Sequence, residues 1–163
     1  MNDIRLDYWG AKDGTTNSSA AEKNKVDVVN NHIYFYSEVE RPKMLELNKK
    51  LRELDIKLQK QALEQDTKLP KIYLHINSYG GSVFAGMSSL DTVLTTKCKV
   101  ITIVEGCAAS AGTTLSVVGN ERWIHQHAYM LIHQLSSGFW GKYAEIEDEK
   151  KNCDKLMKLI KNI

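Results

Sequence analysis

Two short segments rich in glycine and alanine constrain the fold of this chain more than any other feature. The first, NSYGGS at residues 77–82, follows an alternating apolar run at 71–77. The second, GCAASAG at residues 106–112, follows a β-branched run at 100–105. A helical pattern comes after each of them. Because very small residues let a chain turn sharply, both segments are predicted to be strand-to-helix turns.

The rest of the chain continues this alternation of strand and helix patterns. Strands are predicted at 32–39, 71–77 and 100–105, with one or two more within 123–132, and helices at 42–65, 83–96, 111–118 and 143–163. A short edge strand is predicted at 3–9 and a polar loop or arm over 10–25. Alternating strands and helices are typical of an α/β fold with crossover connections. The apolar stripe of the first helix favours packing on its own sheet over a coiled-coil seam, because the repeat is short.

Composition excludes several classes of function. The chain has 163 residues, of which 42% are apolar and 26% charged, as expected for one globular domain. A net charge of +2 and scattered basic residues argue against nucleic-acid or membrane-surface binding. The three cysteines have no metal-ligand spacing, and the first residues lack the apolar segment of a signal peptide. We therefore expect a cytoplasmic protein with reduced thiols, no bound metal and no cofactor.

The two turns and a later histidine carry the groups that acyl transfer requires. Ser110 lies among alanines and glycines, and His133 follows an apolar run. The backbone N–H groups of Gly81 and Ala111 are candidates for an oxyanion site. Taken alone, each feature also has a structural interpretation. A serine among alanines can serve helix–sheet packing, a glycine pair can form a plain turn, and such a histidine can be a core residue.

The order of the motifs resembles the proteolytic subunit of the Clp protease (ClpP). The resemblance rests on INSYGGSV at 76–83, AGM at 85–87 with Asp91–Thr92, the turn at 106–112, MLIHQ at 130–134 and GFWG at 138–141. It implies a ClpP/crotonase-like ββα spiral with an extended handle helix at the C-terminus. It also implies a mobile N-terminal arm at 1–26, a head domain at 27–141 and the handle at 142–163.

The resemblance also implies roles for individual residues. Ser110 would be the nucleophile, His133 the general base, and the N–H groups of Gly81 and Ala111 the oxyanion hole. Substrate contacts would come from the two segments beside them, at Gly80, Ser82, Val83, Gln134, Leu135 and Ser136. The implied partners are a polypeptide substrate, further copies of the chain in a heptameric ring, a second stacked ring and an AAA+ unfoldase.

Several departures from the family pattern leave alternatives open. Tyr79 and Leu135 occupy positions where the family usually has proline, and the link at 56–70 is longer. The family's catalytic aspartate follows the handle helix, whereas this sequence ends at Ile163 and neither Asp148 nor Asp154 matches it. The expected function is a serine endopeptidase. The alternatives are a weakened or inactive ClpP-like scaffold subunit and, less favoured, a crotonase-like acyl-CoA enzyme.

Overall fold

A computed structural model describes residues 25–163, so the strand predicted at 3–9 and nearly all of the predicted arm lie outside the described residues. The elements in chain order are β1 (Lys25–Val29), β2 (His32–Tyr36), α1 (Arg41–Glu64), β3 (Ile72–Ser78), α2 (Val83–Thr95), β4 (Val100–Ala109), α3 (Ala111–Val117), β5 (Glu121–Ile124), β6 (Tyr129–Leu131) and α4 (Tyr143–Lys161).

The strands form one sheet in the order β1-β2-β3-β4-β5, and β6 pairs with the far end of β4. The pair β1–β2 is antiparallel, whereas the pairs β2–β3, β3–β4, β4–β5 and β4–β6 are parallel. Parallel neighbours require crossover connections, and α1, α2 and α3 supply them. The predicted α/β class is therefore confirmed.

The predicted helices agree with the structure to within two residues at each end, and the strands agree less well. Strand β2 ends at Tyr36 rather than at residue 39, and β4 runs on to Ala109. Strand β1 was not predicted, because its five residues carry only a short apolar pattern. It is held by pairing with β2, where Val26 lies opposite Phe35 and is fully buried.

The core lies between one face of the sheet and the helices α1, α2 and α3. The stripe of α1 is buried against this core at Met44, Leu47, Leu51, Leu54 and Leu58. Its packing confirms the prediction of a helix laid on its own sheet. Helix α4 has no fully buried residue. Among residues 25–163 there is no helix that combines the length and the apolar character needed to cross a bilayer.

One buried carboxylate joins α1 to the chain between α2 and β4. Asp55 is buried on α1 and accepts hydrogen bonds from the backbone N–H of Cys98 at 2.8 Å and of Lys97 at 3.1 Å. The amide of Gln59 donates a further bond of 2.8 Å. Burial, and then the nearby carboxylate of Asp55, raise the pKa of the Cys98 thiol to about 12. Asp55 therefore satisfies backbone donors that would otherwise be buried without a partner.

We predict that Asp55→Ala lowers the free energy of unfolding by about 2–3 kcal/mol, because it leaves two backbone N–H groups without an acceptor. Urea denaturation at neutral pH measures the change. The control is Glu53→Gln on the exposed side of the same helix, which should shift stability by less than about 0.5 kcal/mol. Equal effects of the two substitutions would contradict this role for Asp55.

The opposite face of the sheet carries a chain of titratable side chains. His32 Nδ1 lies 2.8 Å from His75 Nε2, and His75 Nδ1 lies 2.6 Å from Glu105 Oε1. The hydroxyl of Tyr36 donates to Glu105 Oε2 at 2.5 Å, and His125 lies 3.4 Å from the same carboxylate. Desolvation favours the neutral form of Glu105, but the bonds from Tyr36 and His75 outweigh it and lower its pKa. Burial and the proximity of His75 lower the pKa of His32.

Both lowered pKa values predict that acid destabilises the fold. A His or Glu whose pKa is lower in the folded state contributes stability at higher pH and loses it as pH falls through the folded value. Unfolding free energy should therefore decline below about pH 6.5 through His32 and below about pH 4.5 through Glu105. In Glu105→Gln the second decline should be smaller, as followed by urea denaturation across this range, whereas the exposed control Glu64→Gln should retain it. Parallel curves for Glu105→Gln and the parent chain would contradict the assignment.

Candidate active site

The pairing of β3 with β4 brings the two predicted turns to one edge of the sheet. The two strands are in parallel register up to Ile76 opposite Val104, and then the register shifts so that Ser78 lies opposite Ala108. The shift lets β4 gain two residues on β3 just before the turns. Both strands therefore end side by side, and the glycine pair comes next to Ser110. Strand β6 continues the pairing on the other side of β4, with Leu131 opposite Ala109.

Ser110 occupies a strained backbone conformation between β4 and α3. Its φ is 52° and its ψ is −125°, outside the regions favoured by residues with a Cβ. Its N–H donates a 2.9 Å hydrogen bond to the carbonyl of Leu131 in β6. Its carbonyl accepts hydrogen bonds from the N–H of Thr113 at 3.0 Å and from the Thr113 hydroxyl at 2.6 Å. Such a sharp strand-to-helix turn presents a serine side chain away from both elements.

Neither Gly80 nor Gly81 has space for a side chain, and each is limited by a different neighbour. A Cβ on Gly80 would lie 2.7 Å from the Ala109 carbonyl oxygen and 2.7 Å from Ser110 Cβ. A Cβ on Gly81 would lie 2.5 Å from the carbonyl oxygen of Val39. Both residues have positive φ values, 103° and 139°, which favour glycine. The glycine loop, residues 80–81, therefore packs closely against the serine turn on one side and against Val39, before α1, on the other.

Hydrogen bonds hold this glycine loop on both sides. The Val39 N–H donates to the Gly80 carbonyl at 2.7 Å, and the Ser82 N–H donates to the Val39 carbonyl at 2.8 Å. The N–H of Gly80 donates to the hydroxyl of Ser78 at 3.1 Å. The Gly81 N–H has no acceptor among the residues that the structure describes, and the same is true of the Ala111 N–H. These two donors are available to a ligand.

His133 follows β6 and is exposed. Its Nδ1 atom lies 2.6 Å from the carbonyl oxygen of Gln134. A carbonyl oxygen only accepts hydrogen bonds, so Nδ1 carries the proton in this arrangement. In the neutral ring, Nε2 then has a free lone pair, which is the state that a general base needs.

One cavity of about 220 Å³ brings these groups together. Gly81, Ser110, Ala111 and His133 all line it. A serine hydroxyl, an imidazole ring and two backbone N–H groups that line one cavity are the kinds of group that acyl transfer requires.

Comparison with known proteins shows the family of this chain. The family described as Clp protease matches residues 30–163. This chain belongs to the Clp protease family. Among curated relatives, the "ATP-dependent Clp protease proteolytic subunit 2" of Tropheryma whipplei (strain Twist) is 38% identical over 91 residues. That match covers 55% of this chain and 51% of the relative, so it spans about half the length of each.

The predicted substrate residues of this Clp-family chain divide into two groups. Val83, Gln134, Leu135 and Ser136 line the cavity, as do the predicted catalytic and oxyanion residues. Gly80 is buried beneath Ser110 and does not line it. Ser82 lies beside it, where its hydroxyl accepts a 3.3 Å bond from the Ala85 N–H at the start of α2. The extended segment after Gly81 is therefore very short, because α2 begins at Val83.

Sequence reasoning missed the residues of α4 that line the cavity. Met157 and Ile160 form part of its wall, and the N–H of Leu135 lies 3.3 Å from the sulfur of Met157. The apolar stripe of α4 was visible in the sequence. Its contact with the site was not, because no local pattern shows where a helix after an irregular segment will lie.

The thiol of Cys107, three residues before Ser110, is not activated as a nucleophile. Burial, and secondarily the charge of Glu38, raise the pKa of the Cys107 thiol. A thiol with a raised pKa remains protonated at neutral pH and is a poor nucleophile. Within residues 25–163, no group of three or more His, Cys, Asp and Glu side chains is arranged to hold a metal ion.

Proposed function

We propose that this chain is a Clp-type serine endopeptidase subunit that hydrolyses peptide bonds of unfolded proteins or short peptides. The observation that carries the proposal is the shared cavity. It joins Ser110, in its strained turn, to His133 and to two backbone N–H groups that have no acceptor within residues 25–163. The family match supports the reaction class, and the arrangement of donors supports the roles of individual residues.

The mechanism follows from these atoms. Nε2 of His133 accepts the hydroxyl proton of Ser110 as Oγ attacks the scissile carbonyl carbon. The carbonyl oxygen becomes an oxyanion and receives hydrogen bonds from the N–H groups of Gly81 and Ala111. The tetrahedral intermediate collapses as the imidazolium returns its proton to the leaving amine. Water, activated by the same ring, then releases the acyl group from Ser110.

The ring of His133 is oriented by a neutral group. The Gln134 carbonyl fixes the tautomer with Nδ1 protonated, as the acid of a Ser-His-Asp triad does. It carries no full negative charge to stabilise the imidazolium that forms when Ser110 is deprotonated. We propose that a ring oriented by this contact alone reacts more slowly than the ring of a complete triad. This observation also favours the second candidate, a weakened scaffold subunit within a mixed assembly.

The cavity walls support a preference for apolar side chains at the cleaved position. Ile132, Leu135, Met157 and Ile160 line the cavity beside Ser110. Among residues 25–163, the side chains that line it include no Asp, Glu, Lys or Arg. An apolar substrate side chain would lose its water there without leaving a polar group unpaired.

The wider assembly is also a proposal. The relative from Tropheryma whipplei is named as a proteolytic subunit of an ATP-dependent protease. We propose a heptameric ring, stacked on a second ring through α4 as the handle helix, and an AAA+ unfoldase that delivers polypeptide. Residues 27–141 would be the head and residues 1–26 an arm near the axial pore. The cytoplasm is the proposed location.

The first test is covalent labelling of Ser110. A fluorophosphonate should add once to the parent chain, as measured by intact mass, because phosphonylation uses the same nucleophile and base. Ser110→Ala should abolish the adduct, and His133→Ala should slow its formation by about 10³-fold or more. As a matched control, His127→Ala at an exposed position should label at the parent rate.

Absence of an adduct on the folded parent chain would contradict the endopeptidase proposal and favour the scaffold subunit. An adduct that persists in His133→Ala at the parent rate would contradict the role of His133.

The second test concerns the apolar subsite. Ile160→Glu should lower kcat/KM about tenfold or more for a peptide with an apolar residue before the scissile bond, because a carboxylate replaces apolar surface. Lys158→Glu, at an exposed position on the same helix, should change it much less. The values of kcat/KM are measured for the two variants with one peptide that has leucine before the scissile bond and one that has lysine there. Equal losses in the two variants would argue against the subsite.

A further inference from the structure

The peptide group between Ser110 and Ala111 has a free N–H and a hydrogen-bonded carbonyl. Its N–H, on Ala111, is one of the two free donors of the cavity. Its carbonyl, on Ser110, faces the opposite way, because a trans peptide is planar and places C=O and N–H on opposite sides. A group that fixes the carbonyl therefore fixes the direction of the donor.

Thr113 holds that carbonyl with two hydrogen bonds. Its backbone N–H lies 3.0 Å from the Ser110 oxygen and its hydroxyl lies 2.6 Å from it. The side chain is buried, with 7% of its surface exposed. Thr113 also lines the cavity beside Ser110, and its hydroxyl has the Ser110 carbonyl oxygen as its hydrogen-bond acceptor. On the other side of the serine, the bond from the Ser110 N–H to Leu131 limits rotation of the preceding peptide.

The second free donor is held in a corresponding way. The Gly81 N–H shares its peptide group with the Gly80 carbonyl, which accepts the 2.7 Å bond from the Val39 N–H. Each donor is thus oriented from the carbonyl end of its own peptide. At Gly80 a single backbone N–H does this. At Ser110 the hydroxyl of Thr113 also holds the carbonyl. Substitution of Thr113 can remove this hydrogen bond.

We propose that Thr113 is a positioning residue for the reaction at Ser110. Its hydroxyl orients the Ala111 N–H toward the oxyanion by holding the Ser110–Ala111 peptide. The inference rests on the proposed function, because it concerns a donor that acts only when an oxyanion forms. It assigns Thr113 no contact with the reacting atoms.

The alternative is that the hydroxyl only stabilises the first turn of a helix. Threonine hydroxyls bond to helical carbonyls elsewhere in this chain, as Thr92 does to the carbonyl of Ser88 at 3.2 Å. Thr92 is also buried, at 3% exposure, and lies in α2. Its hydroxyl holds a peptide that carries no donor for the cavity. Thr92→Val is therefore a matched control for Thr113→Val.

The test compares rates of fluorophosphonate labelling in the full chain. Thr113→Val removes the hydroxyl with little change in shape, and should slow labelling of Ser110 about tenfold, since loss of an oxyanion donor costs about 10²–10³ and misalignment costs less. Thr113→Ser retains the hydroxyl and should label within about twofold of the parent rate. Thr92→Val should also match the parent.

A second measurement separates positioning from general damage. In a Ser110→Cys background, iodoacetamide alkylates the thiol without forming an oxyanion. Thr113→Val should leave that alkylation rate within about twofold, because only oxyanion stabilisation has been weakened. A similar loss in both reactions would overturn the inference and indicate a structural role.

The remaining outcomes are distinct. Equal labelling of the parent and Thr113→Val would overturn the inference while leaving the proposed function intact. A folded parent chain that does not label would overturn the proposed function, and this inference with it.

Discussion

The parallel pairing of β3 with β4 is the constraint on which the rest of the site depends. Up to Ile76 and Val104 the two strands advance together, and the shift that follows places Ser78 opposite Ala108. The shift sets the glycine loop against the serine turn, with Gly80 so close to Ala109 and Ser110 that a methyl group would not fit. Because the donors belong to these two turns, a change in the register would separate them. The position of the proposed oxyanion site is therefore set by the register of the sheet.

The helices and the buried strands could be predicted from sequence because their signals are local. The stripe of α1 and the alternation in β3 follow directly from the geometry of a helix and a strand. Strand β1 was missed because β2 stabilises it through pairing, which a single strand does not reveal. The bulged end of β4 was missed for a related reason. Residues 106–109 look like a small-residue turn, and only their neighbours β3 and β6 make them part of a strand.

The residues of the candidate site also differ in whether a local sequence signal could predict them. Ser110, His133 and the two glycine-loop positions stood out because of their residue types and their place after strands. The wall contributed by Met157 and Ile160 depends on where α4 lies after residues 132–142, for which the sequence has no periodic pattern. The hydroxyl of Thr113 was equally hidden, since a threonine in the first turn of a helix has no distinctive sequence signal. The role proposed for the Thr113 hydroxyl depends on its contact with the Ser110 carbonyl, which only the structure reveals.

The contact that orients the ring of His133 is to a neutral group. Within residues 25–163, the hydrogen-bond partner of the His133 ring, which we propose as the base, is the carbonyl of its neighbour Gln134. Such a bond orients the ring with little help for the charge that develops on it. With this contact alone, the reaction that we propose would rely more on the two backbone donors, since they would stabilise the opposite charge on the oxyanion. The proposed role of Thr113 in orienting the Ala111 N–H rests on this balance.

The most direct measurement of the central claim is a crystal structure of the chain after reaction with a peptide boronate. We predict a covalent bond from Ser110 Oγ to boron, with one boronate oxygen within about 3.1 Å of both the Gly81 and the Ala111 nitrogen atoms. A boronate bonded to Ser110 whose oxygens point to solvent, with neither nitrogen in hydrogen-bond range, would contradict it.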